Sequence, residues 1–324
     1  MIIQATPDAI DRAAVLLKND GVVAFPTETV FGLGVNALSE KAVKTLYEVK
    51  GRDFTNPCAI MVSDMAQANA IAQPDDRANS LMQAFWPGPV SLVVPCRTDA
   101  VQPIAPQVLA GLSSVSLRMP SHPVALALLR AAGLPLAVPS ANRSGHLSTT
   151  RALDVAQQFG DDVSMILADA TKILGIESTI VDLTGEQAKI LRLGAVTQAE
   201  IEAVIGAVQV VASPIKASGK GFTLKTPLRL NAVDVKQGEA FLGFGRLNYI
   251  GVEKIGFVRD MPETHWRNLS AEGDLQQAAA NLYRMLAELD AVGAERIAVM
   301  NVPDTGLGVT INDRLRRCAE TAEQ

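Results

Sequence analysis

V-A-F-P-T-E-T-V-F-G-L-G, residues 23–34, is the stretch on which the reading of this chain turns. An apolar run over 22–25 stops at Pro26, whose ring fixes the backbone and removes a donor. Thr27, Glu28 and Thr29 then place two hydroxyls and a carboxylate side by side, and Gly32 and Gly34 follow. A buried strand ending in clustered polar side chains suits an α/β protein, where ligands bind beyond strand ends. Taken alone, the same trio also suits a turn whose Thr and Glu satisfy neighbouring backbone groups.

Strands and helices alternate outward from that stretch. Thr6-Pro7-Asp8 starts one helix and Gly21 stops it; Ser39 caps a second, with Val43, Leu46 and Val49 inward. The second helix runs into Lys50-Gly51-Arg52. Residues 58–62, 90–95, 113–119, 136–138 and 165–168 read as strands. Residues 123–132, 151–159 and 197–204 read as helices, with helical pieces over 64–86 ending at W-P-G-P. Ser140-Ala141-Asn142 leaves its strand as Thr27 leaves the first. Residues 178–183 and 188–191 form a hairpin ending at Arg192. The expectation is an α/β fold with a mixed sheet and helices packed on it.

Residues 1–206 make the first domain of this reading. Residues 207–228, poor in periodicity and holding Pro, Ser and Gly, make a linker, and 229–324 a smaller α/β domain. Strands are expected there over 229–233, 240–244, 254–258 and 296–300. An amphipathic helix is expected over 274–289, capped by Ser270, and a last helix over 311–319.

With 48% hydrophobic and 19% charged residues, the chain supports large cores and does not read as disordered. It opens without a basic-then-apolar leader and has no apolar run long enough to span a membrane, so a cytoplasmic protein is expected. Cys58, Cys96 and Cys318 are too scattered for a disulfide or zinc framework, and the three histidines are equally dispersed, so no metal site is expected. Net charge is −5. Lys+Arg against Asp+Glu is 15 to 20 before residue 207 and 14 to 14 after it, which disfavours a broad nucleic-acid-binding face.

Phosphate-loop, dinucleotide and nucleophile-elbow motifs are absent. Cations at element ends carry more. Lys50 and Arg52 follow a helix, Arg118 ends S-V-S-L-R, and Arg192 ends K-I-L-R. Each alone suits a solvated strand end. Together, beside Thr27-Glu28-Thr29 and Ser140-Ala141-Asn142, they suit one anionic pocket, since guanidinium grips phosphate and carboxylate alike.

F-P-T-E-T-V-F-G-L-G, K-G-R followed by N-P, W-P-G-P, S-L-R-M-P, P-S-A-N, E-S-T-I and R-L-G occur in that order. The set resembles the YrdC-like family of threonylcarbamoyl-AMP synthases. N-L-S-A-E-G-D-L-Q-Q-A-A-A-N-L-Y and G-L-G-V-T-I-N-D-R-L resemble the extra domain of its long form. The resemblance implies a YrdC-like twisted mixed sheet with flanking helices, plus a Rossmann-like α/β second domain. It implies that L-threonine, bicarbonate and ATP give threonylcarbamoyl-AMP and pyrophosphate. It also implies a product used by a tRNA threonylcarbamoyl transferase complex, and a tRNA contact.

By the motifs, Thr29, Arg118, the Val138 backbone and Ser178 hold threonine. Lys50, Arg52, Asn56, Ser114, Ser140, Asn142, Ser148 and Arg192 hold ATP. Lys50 and Arg52 neutralise the phosphates, with Mg²⁺ bridging them, and no covalent enzyme intermediate is required. Glu28 receives no assigned role beyond orienting neighbours or forming a structural pair. Two departures stand out. Met61 occupies a position where many members carry His. In the linker, Phe222, Leu224 and Lys225 replace the usual Tyr, His and Tyr of a segment given a lid role. An RNA-binding module and a carbamoyltransferase accessory remain the rival readings.

Overall fold

The computed structural model describes residues 1–211, 222–246 and 261–322. It divides into two compact units. The first comprises Met1–Ser144, Ser148–Ile173 and the chain from Glu177; the second comprises Gly145–Leu147, Leu174–Ile176 and the C-terminal part.

The first unit is built on a mixed sheet of eleven strands. In spatial order they are Ile2–Gln4, Met165–Ala168, Val23–Phe25, Gly32–Asn36, Leu136–Ala137, Ile60–Met61, Ser114–Arg118, Val90–Pro95, Thr179–Asp182, Lys189–Arg192 and Gln209–Val210. The 22–25 run is apolar throughout because both its faces are covered. Val22 and Ala24 enter one core, with Leu46 and Val43 of helix Glu40–Lys50. Val23 and Phe25 enter the other, with Ala13 and Leu17 of helix Pro7–Lys18 and Leu128 of helix Pro123–Ala132. Each helix starts where the sequence places a cap. Thr6 Oγ1 accepts from Ala9 N at 3.3 Å, and Ser39 Oγ from Ala42 N at 3.2 Å.

Gly32 and Gly34 are not turn residues. They lie in a strand antiparallel to Val23–Phe25, with Phe25 opposite Gly32 and Val23 opposite Gly34. A Cβ on Gly32 would stand 2.6 Å from Val138 Cγ1, and one on Gly34 2.7 Å from Phe25 Cε1. Close packing, not a backbone turn, requires glycine at both.

Among the described residues, the second unit holds four parallel strands in the order Leu228–Arg229, Arg296–Val299, Glu239–Gly243, Trp266–Asn268. Helix Leu275–Asp290 buries Ala278, Leu282, Leu286 and Leu289. Its cap is Asp274, whose carboxylate accepts from Gln276 N and Gln277 N. Ser270, the expected cap, instead accepts from the Asp274 amide at 3.0 Å, one step earlier. The strand expected over 229–233 is only Leu228–Arg229, since Val233 is exposed. The last helix is longer than expected, Leu307–Ala322. The strand expected over 254–258 lies outside the described residues. Among the described residues no helix is long and apolar enough to cross a membrane.

Candidate active site

The first unit holds a cavity of about 280 Å³ over one face of its sheet, lined by alternate residues such as Ser91, Val93, Ser116 and Arg118 together with the loops that leave the strands. Pro26 turns the chain out of the sheet there, and the polar trio folds back on itself. The Thr27 hydroxyl donates to Val30 O at 2.6 Å, so the Thr29 hydroxyl, 2.9 Å away, is left to donate to Thr27. Thr29 Oγ1 accepts from Arg118 Nη1 at 3.1 Å, and Arg118 Nε donates to Gly88 O at 3.2 Å. Glu28 supplies the counter-charge. Its Oε1 lies 2.6 Å from Arg118 Nη2, a charge contact without the alignment of a hydrogen bond. Arg118 is buried, 5% exposed, and Glu28 is mostly so, at 12%.

Arg192 closes another part of the wall. Its Nε and Nη2 donate to Ser178 O at 3.0 and 2.9 Å, and Nη2 reaches Ser178 Oγ at 3.0 Å. The Ser178 hydroxyl also lies 2.8 Å from that of Ser91. Gly194 seats this corner. A Cβ there would meet Ser178 C and Thr179 N at 2.3 Å, which is why glycine follows Arg192-Leu193. Ser148 donates to Glu177 Oε1 at 2.7 Å, and Glu177 lines the cavity.

Lys50 and Arg52 diverge. Gly51 caps helix Glu40–Lys50 in the left-handed region, φ 61°, and reverses the chain between them. Arg52 lines the cavity, with Nη2 donating to Pro57 O at 2.7 Å and its guanidinium 5.7 Å from the Tyr47 ring centre. Lys50 turns inward. Its amine donates to the carbonyls of Ser140, at 2.6 Å, and Asn142. Burial, then the charge of Arg52, pushes the Lys50 amine down to about 7. Burial pushes the neighbouring Cys58 thiol up to about 11, which keeps it unreactive.

Of the expected site residues, the structure brings Thr29, Arg118, Val138, Ser178, Arg52, Ser140 and Arg192 to one cavity. Lys50 does not line it; its amine donates to the two carbonyls. Asn56, Ser114, Asn142 and Ser148 stand off the wall as well. Asn56 is buried in the turn that receives Tyr47 Oη, and Asn142 Nδ2 donates to Arg143 O. Ser114 begins its strand opposite Pro95, while Ser116, two residues on, lines the cavity. The sequence reading missed Ser91, Ser116 and Glu177. Their strand alternation was the available signal.

Residues 15–194 match the family model described as "Telomere recombination" (Sua5, YciO and YrdC), and 196–320 that for the threonylcarbamoyl-AMP synthase C-terminal domain. The threonylcarbamoyl-AMP synthase of Bacillus subtilis is 36% identical over 96% of this chain and 92% of its own length. This chain belongs to the YrdC-like threonylcarbamoyl-AMP synthase family.

The Pyrococcus abyssi synthase is 33% identical over 95% of this chain and 93% of its own. Among solved structures, P. abyssi Sua5 complexed with L-threonine superposes with a TM-score of 0.83 at 29% identity, covering 99% of this chain and 98% of that one. Met61 lines the cavity, pairing with Arg118 on one side and Leu136 on the other, so an apolar side chain stands at the position for which the resemblance suggests His. Phe222 packs on Tyr283, ring centres 5.3 Å apart, Leu224 is buried and Lys225 is exposed. The rest of the divergent linker, 212–221, lies outside the described residues.

Proposed function

We propose that this chain makes threonylcarbamoyl-AMP from L-threonine, bicarbonate and ATP. The observation that carries the reading is one cavity walled by Arg52, Arg118 and Arg192 with the hydroxyls of Thr29, Ser178 and Ser140. Arg118 takes the threonine carboxylate, with Thr29, Ser178 and the Val138 backbone around the amino acid. Arg52 and Arg192 take the phosphates, and Ser140 borders them. Asn56, Ser114, Asn142 and Ser148 support that wall.

The threonine amine attacks the carbon of CO₂ derived from bicarbonate, giving a carbamate and releasing a proton. A carbamate oxygen then attacks the α-phosphorus, the bond to the bridging oxygen breaks, and pyrophosphate leaves with that electron pair. Two rigidly held ends and fixed positive charge suffice for this sequence, which needs no enzyme nucleophile. Glu177 is the carboxylate on the wall, and among the described residues no three His, Cys, Asp or Glu side chains converge. Mg²⁺ bound with the nucleotide would add to the charge neutralisation that Arg52 and Arg192 supply.

In this reading residues 1–206 are the catalytic domain, 207–228 the linker and 229–324 the second domain. The chain acts in the cytoplasm, and its product passes to a tRNA threonylcarbamoyl transferase complex, with a tRNA contact. Labelled bicarbonate gives the direct test. Label should appear in a species containing both threonine and AMP. Label in neither, with folded protein and all three substrates present, refutes the reading in favour of an RNA-binding module or carbamoyltransferase accessory.

A further inference from the structure

Lys50 is a buried lysine that touches no part of the cavity wall except through another segment. It is 3% exposed, and its amine donates to Ser140 O at 2.6 Å and to Asn142 O. Between those two acceptors, Ala141 O accepts from the Thr149 hydroxyl at 2.8 Å. Three consecutive carbonyls, 140 to 142, are thus held by side-chain donors from inside the protein. The same turn is fixed from its other edge. Ser144 N donates to Lys50 O at 2.9 Å, Arg143 Nη1 to Val49 O at 2.9 Å, and Ala141 N to Phe31 O at 2.7 Å. Ser140, which lines the cavity, sits on this pinned segment.

The electrostatic consequence is specific. A carbonyl oxygen is the negative end of the peptide dipole, and carbonyls facing a polyphosphate would repel it. Drawing the oxygens of Ser140 and Asn142 onto a lysine removes that repulsion and fixes the Ser140 side chain at the wall. We propose that Lys50 is a positioning residue. It acts on the nucleotide through the 139–144 segment, whose carbonyls it holds away from the anion, and does not touch the phosphates. This rests on the reading that the cavity takes ATP.

The test has two arms on the full chain. In wild type, amine-selective reductive methylation read by mass spectrometry should leave Lys50 unmodified, equally with and without ATP. Modification of Lys50 in the free protein that ATP suppresses would overturn the proposal, since that is the behaviour of a phosphate ligand. In the second arm, Lys50→Met keeps the length and the apolar stem and deletes both bonds. Amide exchange over 139–146 in ligand-free protein should quicken by about tenfold or more, as two hydrogen bonds of roughly 1 kcal/mol each are lost. Turnover should fall with it, while the KM for threonine stays within about threefold of wild type. Lys50→Arg, which can donate to both carbonyls, should restore protection of the segment and part of the turnover. Wild-type exchange over 139–146 in Lys50→Met together with lost turnover overturns the proposal. Should Lys50→Met fail to fold, the methylation arm decides alone. Wild type that releases no pyrophosphate refutes the ATP reading, and leaves the exchange result standing as a statement about the segment.

Discussion

Glu28→Gln isolates the charge that balances Arg118. The substitution keeps size and shape and removes the carboxylate 2.6 Å from Arg118 Nη2. Breaking a buried pair from one side typically costs about 3–5 kcal/mol, because the other charge stays buried and uncompensated. Here Arg118 keeps its bonds to Thr29 Oγ1 at 3.1 Å and Gly88 O at 3.2 Å. The expected loss is therefore about 2–3 kcal/mol, or roughly 5–10 °C in Tm for a unit of this size. L-threonine brings a carboxylate back to the orphaned guanidinium, so it should raise the variant's Tm more than that of wild type. L-threoninamide, which lacks the carboxylate, should not. The assay is thermal unfolding of both proteins with each compound. A variant within about 0.5 kcal/mol of wild type, or equal rescue by the amide, would refute the argument that Arg118 is held by one carboxylate and awaits another.

Arg52→Ala should lower turnover by about a hundredfold or more while costing the fold no more than about 1 kcal/mol, measured by pyrophosphate release and denaturant unfolding; wild-type turnover would contradict its phosphate role. Gly194→Ala drives a Cβ onto the backbone of Ser178 and Thr179, so it should destabilise by about 1–3 kcal/mol and weaken threonine binding; unchanged values of both count against the packing argument. Burial holds the His122 pKa below 6.5, against the opposing charges of Asp169 and Glu28. The unfolded chain then binds more protons than the folded one as pH falls below 6.5, so stability drops there. His122→Asn, which keeps an acceptor for the Val124 amide, should flatten that slope in unfolding midpoints taken from pH 7 to 5.

Local signals were legible in the sequence and non-local ones were not. The 22–25 run, the caps at Thr6 and Ser39, and the cations at element ends follow from periodicity and cap chemistry, and the structure contains them. In the sequence Gly32 and Gly34 only follow the polar trio; the reason for glycine there lies across the sheet in Val138 and Phe25. Glu28 had no assigned role because its partner, Arg118, is distant in the chain and adjacent only after folding. Lys50 and Arg52 read as a matched pair, yet Gly51 between them takes a left-handed conformation and sends one inward and one outward. Ser270 and Asp274 compete for one helix start, and four residues decide which oxygen meets the free amides.

Pyrophosphate release by the purified chain, with ATP, L-threonine and bicarbonate each omitted in turn, tests the central claim most directly. Full activity should require all three, and any omission should return release to background. Release that persists without threonine or without bicarbonate, or no release with all three present, would contradict it.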